Sequence, residues 1–244
     1  MVVETIRCRI LTVLIGVILL LCPVAAWAGT SPIVVLDPGH GGDDPGAVDQ
    51  LNGILEKTIN LEVARRVQHK LEARGYKVLL TRDQDDVFCH APSGGFVKRQ
   101  ISLEERIELA NGNAADIFIS IHANSFHDRT CTGAEIFYHR LSQDGRELAE
   151  EFQGVLNGLP ETVECKLKAS NYYVLRSTTM PAVLVEMGYI TNDCEGKLLL
   201  ESTYQEKLAE AFAEAVNRYF KKVKDRRTGL SESAPSTATN AKAS

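Results

Sequence analysis

The sequence predicts one α/β domain, built on a mainly parallel, twisted sheet of about six strands with helices on both faces. Short, uninterrupted apolar runs such as residues 33–36 are typical of strands that are buried on both faces. Amphipathic helical patterns alternate with these runs along the chain. Because a strand, a helix and a further strand in this order form a crossover connection, the alternation predicts neighbouring parallel strands.

The predicted strands and helices follow each other in a regular order. The apolar runs predict six strands, at residues 33–36, 76–80, 117–121, 134–138, 172–175 and 182–185. Amphipathic patterns predict four helices, at residues 56–74, 103–113, 143–156 and 204–219. In the first helix an apolar residue recurs every fourth position from Ile59 to Leu71, and Gly75 follows where helices commonly end. Ser102 and Glu105 have the spacing of a capping box before the second.

Both ends of the chain are predicted to lie outside the folded domain, which occupies residues 29–222. An uncharged run at residues 10–28 follows two arginines and ends in Ala-Trp-Ala, so residues 1–28 are predicted to be a signal peptide cleaved after Ala28. The run is also long enough for an uncleaved membrane anchor, which stays open as the alternative. Residues 223–244 are rich in small and polar residues and are predicted to be a disordered tail.

Composition excludes some classes of function. The formal net charge is −5 and no dense basic stripe is present, so nucleic acid is not expected as a partner. Four cysteines lie outside the first 28 residues, and none belongs to a C-x-x-C pair, which makes a thiolate zinc site improbable. A disulfide is compatible with an exported protein, but the sequence leaves the pairing open. These cysteines are Cys89, Cys131, Cys165 and Cys194.

Three of the predicted strands lead into an ionisable side chain. The first strand is followed by a glycine-rich segment that contains His40, the third by His122, and the last by Glu186. In open α/β sheets, ligands bind at the carboxyl ends of the strands. Two histidines and a glutamate that converge at this edge therefore indicate a functional site.

Two imidazoles and one carboxylate form a recurring zinc site that leaves a fourth position for water. Glu56, which opens the helix after the glycine-rich segment, and Glu186 both qualify as the carboxylate ligand. A hydrolase also needs a second carboxylate, which accepts a proton from the attacking water and returns it to the leaving group. Spacing alone does not decide which glutamate has which role.

Four segments carry a resemblance to a known family. They follow one another along residues 33–220 and resemble, in the same order, motifs of the zinc-dependent N-acetylmuramoyl-L-alanine amidases. The four together identify the family much more specifically than any one of them alone. The segments are Asp-Pro-Gly-His-Gly-Gly at 37–42, Glu56, Ser-Ile-His-Ala-Asn at 120–124, and Pro-Ala-Val-Leu-Val-Glu-Met-Gly-Tyr at 181–189.

The resemblance implies an activity and assigns the residues. This family hydrolyses, in peptidoglycan, the amide bond that joins N-acetylmuramic acid to L-alanine. Carried over position by position, His40, Glu56 and His122 would bind one Zn²⁺ per chain, and Glu186 would be the catalytic general base and acid. Residues 29–222 would then be the catalytic domain.

Three further residues are candidates for substrate binding, each with a structural alternative. Asn124 follows a ligand by two residues, but it could instead cap a loop. Arg82 could meet a peptide carboxylate, or it could pair with a neighbouring aspartate. Leu175 could line the substrate groove, or it could belong to the core.

Other residues near these segments are interpreted as supporting the site or as having no role in it. Asp37 could support His40 as a hydrogen-bond partner behind the metal. Arg106, on the second predicted helix, is interpreted as structural. Glu135, near the start of a strand, is interpreted as solvated. Residues 88–100 are predicted to form a longer loop near the groove.

The expected partner is peptidoglycan, with an activator or a wall-targeting protein as a further partner, and the chain is expected to be monomeric. We expect the protein to be exported to the cell wall, the periplasm or the spore cortex, with membrane contact only through residues 10–28. One rival function is a zinc hydrolase or peptidase that cleaves another peptidoglycan bond. Another is a wall-binding protein that needs an activator.

Overall fold

The computed structural model describes residues 31–85, 87–90, 96–99 and 101–232. The predicted signal peptide or anchor at residues 1–28 lies outside this range, as do residues 233–244 of the predicted tail. The described residues from Pro32 onward belong to one compact unit, as expected for a single domain. No helix within the described range has the length and apolar character needed to cross a membrane.

Ten strands and six helices are present in the described residues. The strands are β1 (Ile33–Pro38), β2 (Val48–Asp49), β3 (Ile54–Leu55), β4 (Lys77–Leu80), β5 (Val87–His90), β6 (Phe96–Arg99), β7 (Ile117–Asn124), β8 (Ala134–His139), β9 (Cys165–Ser170) and β10 (Ala182–Tyr189). The helices are α1 (Glu56–Ala73), α2 (Leu103–Gly112), α3 (Gln143–Leu156), α4 (Tyr173–Ser177), α5 (Glu195–Leu200) and α6 (Ser202–Glu232).

The central sheet has six strands in the order β4-β1-β7-β10-β8-β9. All neighbouring pairs are parallel except β8 and β10, which are antiparallel, so the predicted α/β fold with a mainly parallel sheet is confirmed. Two short hairpins, β2–β3 and β5–β6, stand apart from it. The second of them occupies the segment that was predicted to be a longer loop at residues 88–100.

One predicted strand is wrong. Residues 173–175 belong to helix α4, and Tyr172 is the N-cap of that helix. The sixth strand of the sheet is β9, which the sequence did not predict. Short apolar runs do not distinguish a strand from a buried helical turn, and here Val174 and Leu175 are both buried on α4. The edge strand β9 was missed because Lys166 and Lys168 interrupt its apolar residues.

Helices cover both faces of the sheet, as predicted. Helices α1 and α3 pack on one face, and α6 packs across both of them. Helices α2 and α4 contact each other, and α4 packs on the strands β8 and β10. The capping box that was predicted at the start of α2 is confirmed, with Ser102 Oγ accepting from Glu105 N at 3.2 Å and Glu105 Oε2 accepting from Ser102 N at 2.9 Å.

The last helix is longer than predicted. It continues to Glu232, although the disordered tail was expected to begin at residue 223. Ion pairs with α3 account for this extension, since Lys222 pairs with Glu151 and Arg226 Nη1 lies 2.9 Å from Glu147 Oε2. A polar composition suggested disorder because the sequence does not reveal these cross-helix partners.

Candidate metal centre and active site

Three side chains converge at the carboxyl edge of the sheet. Each of His40, Glu56 and His122 offers one ligand atom, and these atoms all lie within 4.8 Å of one another. Glu56 Oε1 lies 3.1 Å from His40 Nε2 and 2.9 Å from His122 Nδ1. The two imidazole rings meet edge to face, with centroids 5.0 Å apart. This is the arrangement of a metal site with two nitrogen donors and one oxygen donor.

Glu56 is fixed by the position of its helix. As the first residue of α1 it is 4% exposed, and its Oε2 accepts a hydrogen bond of 2.8 Å from Ala47 N. Burial alone would raise the pKa of Glu56, but the hydrogen bonds and charges of His122 and His40 outweigh it and hold the pKa well below its usual range. The group therefore remains a carboxylate, which is the form that binds a cation.

His40 is oriented by Asp44. Its Nδ1 lies 2.7 Å from Asp44 Oδ2, which turns Nε2 towards Glu56. Burial lowers the pKa of His40, whereas Glu56 and Asp44 raise it, and the result is a pKa of about 9. A carboxylate that holds the outer nitrogen of a ligating histidine is the usual support of a metal site.

The hydrogen-bond partner of the His40 ring is Asp44 and not Asp37, the partner that the sequence suggested. Asp37 instead accepts from Thr81 Oγ1 and Ser120 Oγ, both at 2.7 Å, and from Arg106 Nη1 at 2.6 Å. Asp44 lies four residues after His40, and this spacing within a tight glycine-rich loop is the signal that could have identified it.

Arg106 is structural, in agreement with its interpretation from the sequence. It is 1% exposed and pairs with Asp37. Its guanidinium also donates to Pro38 O at 2.8 Å and to His40 O at 2.7 Å. Arg106 therefore ties helix α2 to the backbone of the loop that carries the first histidine.

Two glycines make room for the candidate metal ligands. A Cβ added to Gly39 would lie 2.0 Å from Cε1 of the His122 ring. A Cβ added to Gly46 would lie 2.6 Å from both Glu56 Oε2 and His40 Cδ2, and Gly46 also has a positive φ of 66°. Any larger side chain at either position would displace one of these three side chains.

Glu186 lies on β10 in register with His122 on β7. The residue is half-buried, but its Oε2 atom is closed to solvent and has no hydrogen-bond partner among the described residues. Burial raises the pKa of Glu186 to about 7, and the charges of Glu56 and Glu135 add to this rise while His122 and His40 oppose it. A carboxyl with this pKa exchanges a proton readily near neutral pH.

A groove of about 500 Å³ connects these residues. His40, His122 and Glu186 line its floor, on the face of the sheet that α2 and α4 cover. Leu103 and Tyr172 line its sides, and they are 45% and 44% exposed. The site is thus an open groove with apolar walls and a polar floor, which suits a large, extended substrate.

The three candidates for substrate binding lie in different environments. Arg82 is 4% exposed, and its guanidinium donates to the carbonyls of Pro38, Gly39 and Lys57. Its contact with a substrate carboxylate stays a prediction. Burial is the main reason that the pKa of Arg82 is lowered to about 10.

Leu175 is 3% exposed and belongs to the smaller core cluster, which corresponds to its structural alternative. Its neighbours Tyr172, Tyr173 and Val174 line the groove instead.

Asn124 is partly buried at the end of β7, where its Oδ1 accepts from Ser125 N at 2.8 Å. This hydrogen bond is the loop cap that was its alternative interpretation.

The interpretation of Glu135 as solvated is wrong. The residue is 7% exposed, and it lies opposite Glu186 on the neighbouring strand β8. Lys168 Nζ and Tyr189 Oη contact Glu135 Oε1 at 2.6 and 3.1 Å. The burial depends on a lysine 33 residues away, so local sequence gives no signal for it.

The cysteines form no disulfide within the part of the chain whose side chains are described. Cys131, Cys165 and Cys194 are free thiols. The side chain of Cys89 is outside the described residues. Burial raises the pKa of Cys165 to about 12, so this thiol is an inert part of the core.

Comparison with known proteins agrees with the geometry. The family model described as N-acetylmuramoyl-L-alanine amidase matches residues 34–218. The germination-specific N-acetylmuramoyl-L-alanine amidase of Bacillus subtilis is 34% identical over 190 residues, which cover 77% of this chain and 79% of that relative.

Solved structures show the same fold. An N-acetylmuramoyl-L-alanine amidase from Clostridium difficile 630 superposes with a TM-score of 0.70 at 31% identity, covering 78% of this chain and 97% of that one. The CwlD amidase of Clostridioides difficile, solved in complex with the GerS lipoprotein, gives a TM-score of 0.69 at 32% identity and covers 78% and 99%. The chain belongs to the N-acetylmuramoyl-L-alanine amidase family.

Proposed function

We propose that this amidase hydrolyses the bond between N-acetylmuramic acid and L-alanine in peptidoglycan with the help of one zinc ion, and that Glu186 is its general base and acid. The observation that carries the proposal is a buried carboxyl oxygen without a hydrogen-bond partner among the described residues, beside a set of two histidines and a glutamate. A buried carboxyl in this state is costly for folding, so its retention points to chemistry.

The residues present fit a zinc ion. Two imidazole nitrogens and one carboxylate oxygen are typical ligands of catalytic zinc. Glu56 Oε2 is occupied by Ala47 N, which leaves Oε1 facing both histidines. A bound zinc ion supplies Lewis acidity, which makes an attacking water easier to deprotonate and an amide carbonyl easier to attack.

Glu186 moves the proton. As a base it takes a proton from the water that attacks the amide carbonyl. As an acid it then gives this proton to the nitrogen of L-alanine, so that the peptide leaves as a neutral amine. A pKa of about 7 suits both steps, because neither protonation state is strongly favoured near neutral pH.

The test is a digest of peptidoglycan with the purified protein, with added zinc and with a chelator. Mass spectrometry should detect released stem peptides that have a free L-alanine amine, and the chelator should abolish their release. Glu186→Gln should release none at the same protein concentration. Glu164→Gln is the matched control, because Glu164 is an exposed glutamate outside the groove.

Two other outcomes of the digest contradict the proposal. Shortened peptides that are released with zinc would place the cleaved bond elsewhere in peptidoglycan. No release by a protein that binds one zinc per chain would favour a wall-binding role, provided that addition of a candidate activator does not restore release.

We also propose that the enzyme is exported by residues 1–28 and acts outside the cytoplasm, where peptidoglycan lies. The relatives named above support this proposal, since they include an enzyme specific to germination. One of these relatives, the CwlD amidase, is solved in complex with a lipoprotein. We propose a lipoprotein as a candidate activator for this chain as well. We also propose that the chain is monomeric on its own. Sequencing of the mature N-terminus from each cell fraction distinguishes cleavage after Ala28 from anchoring.

A further inference from the structure

A second glutamate lies directly beside the proposed general base. Strands β8 and β10 are antiparallel, and their register places Glu135 opposite Glu186. Residues directly opposite each other in such a pair project from the same face of the sheet, here the groove side. Two like charges in this position destabilise the sheet, so some other interaction must compensate for the repulsion between the two carboxylates.

Glu135 differs from Glu186 in having two hydrogen-bond partners, both on its Oε1 atom. Its Oε1 accepts a hydrogen bond of 2.6 Å from Lys168 Nζ, which lies on the outer strand β9. The same atom accepts a hydrogen bond of 3.1 Å from Tyr189 Oη, which lies on β10. Glu135 is 7% exposed, whereas the side chain of Lys168 is 44% exposed, so the carboxylate is buried and its lysine partner reaches the surface. The lysine therefore allows a charged carboxylate to stay beside Glu186, and the tyrosine connects this carboxylate to the strand that carries Glu186.

Strand β10 is irregular just after Glu186. Its register against β7 shifts between Glu186 and Tyr189, and Gly188 within this interval has a φ of 150°. A bulge of this kind redirects the neighbouring side chains. The Tyr189 hydroxyl on Glu135 fixes the far side of the bulge to strand β8.

We propose that Glu135 is a positioning residue for Glu186: held by Lys168, it anchors the bulge of β10 through Tyr189 and so sets the direction of the Glu186 carboxyl. This inference rests on the proposed role of Glu186 as general base. Glu135 itself touches neither the metal ligands nor the substrate in this scheme.

The test compares steady-state kinetics of Glu135→Gln, Lys168→Met and the double variant on a soluble muramoyl peptide, with zinc content measured for each. Loss of Glu135 should lower kcat about 10- to 100-fold, the range for partners that orient a reacting group, with KM and zinc content unchanged. Lys168→Met should lower kcat less, because Tyr189 still contacts Glu135. The double variant should be no worse than Glu135→Gln, since Lys168 acts through Glu135.

Lys166→Met is the matched control. Lys166 lies two residues before Lys168 on the same face of β9 and pairs with Glu164 at 3.4 Å. Its replacement should leave kcat and KM at wild-type values. If Glu135→Gln folds poorly, Tyr189→Phe removes only the hydroxyl and should lower kcat in the same direction.

Several results would overturn the inference. They are a wild-type kcat in Glu135→Gln, a raised KM with unchanged kcat, loss of zinc, or additive effects in the double variant. Glu186→Gln, measured in parallel, separates this inference from the proposed function. Full activity of Glu186→Gln refutes the general base itself, whereas an inactive Glu186→Gln beside a fully active Glu135→Gln refutes only the positioning role.

Discussion

Asp37 and Glu186 are two carboxyl groups at the same edge of the sheet, and their surroundings are opposite. Asp37, at the end of β1, accepts hydrogen bonds from Thr81, Arg106 and Ser120, while Glu186 Oε2 has no partner among the described residues. Burial would raise the pKa of Asp37, but Arg106 and the two hydroxyls hold it below its usual value. Burial raises the pKa of Glu186 to about 7.

The comparison separates a structural carboxylate from one that we propose to transfer a proton. A carboxylate that is fully hydrogen-bonded cannot accept a proton without losing those bonds. A carboxyl without such bonds exchanges a proton without losing any hydrogen bond, and its burial does not favour folding. Removing the charge should therefore affect stability at Asp37 and activity at Glu186.

The largest effect is expected for Glu186→Gln. The rate of peptide release should fall by about 10²- to 10⁴-fold, the usual contribution of general acid–base catalysis. The melting temperature should change little, because Oε2 has no hydrogen bond within the described part of the chain to lose. Rates and thermal unfolding measured on one preparation check both statements, and a large drop in melting temperature would contradict the comparison.

The same chemical change at Asp37 should act on stability. Asp37→Asn leaves Arg106 buried without its counter-charge, which typically costs about 3–5 kcal/mol in the free energy of unfolding. Asp43→Asn, an exposed aspartate in the following loop, is the control and should change stability by less than about 0.5 kcal/mol. Urea unfolding measures both. Equal stability of the two variants would show that the Asp37 pair is dispensable.

A smaller effect is expected at the glycines that border the ligands. Gly46 and Gly53 have nearly the same positive φ, 66° and 67°, so alanine strains the backbone equally at both. Only at Gly46 would the new Cβ meet His40 and Glu56; at Gly53 it meets nothing within 4 Å. Gly46→Ala should weaken zinc binding about 10- to 100-fold relative to Gly53→Ala, as measured by competition with a chelating dye.

The smallest effect is the pH dependence that Asp37 gives to stability. A carboxyl whose pKa is lower in the folded state stabilises the protein above its unfolded pKa, and this stability is lost as pH falls through the folded pKa. Below about pH 4 the metal-free protein should lose up to about 1.4 kcal/mol per pH unit for this proton. Urea unfolding at several pH values should show a shallower slope for Asp37→Asn. Identical slopes would assign the acid sensitivity to other groups.

The sequence predicts which ionisable residues lie at the ends of strands better than it predicts which residues contact them. His40, His122 and Glu186 could be identified because each ionisable group ends an apolar run, where burial without function is improbable. Glu56 qualified as a carboxylate ligand from its place at the start of a helix, as Glu186 also did, and the family resemblance assigned the two roles. The fold class followed from the alternation of patterns, which is a local property.

Contacts between distant segments could not be predicted in this way. Asp37 was placed behind His40 because the two are neighbours in sequence, whereas its partners come from β4, α2 and β7. The sequence did not reveal the burial of Glu135, because its lysine partner lies on β9, a strand that was itself not predicted. Register across a sheet is set by tertiary packing, so the residues that support a site are harder to predict than those that form it.

The outermost position of β9 in the sheet has one more consequence. An edge strand exposes a row of unpaired backbone groups, to which a second copy of the chain could add a strand. Lys166 and Lys168 are half-exposed along this edge, and lysines at an edge hinder such aggregation. Lys168 thus has two roles: it pairs with Glu135 beside the groove, and it hinders the pairing of β9 with a strand of another chain.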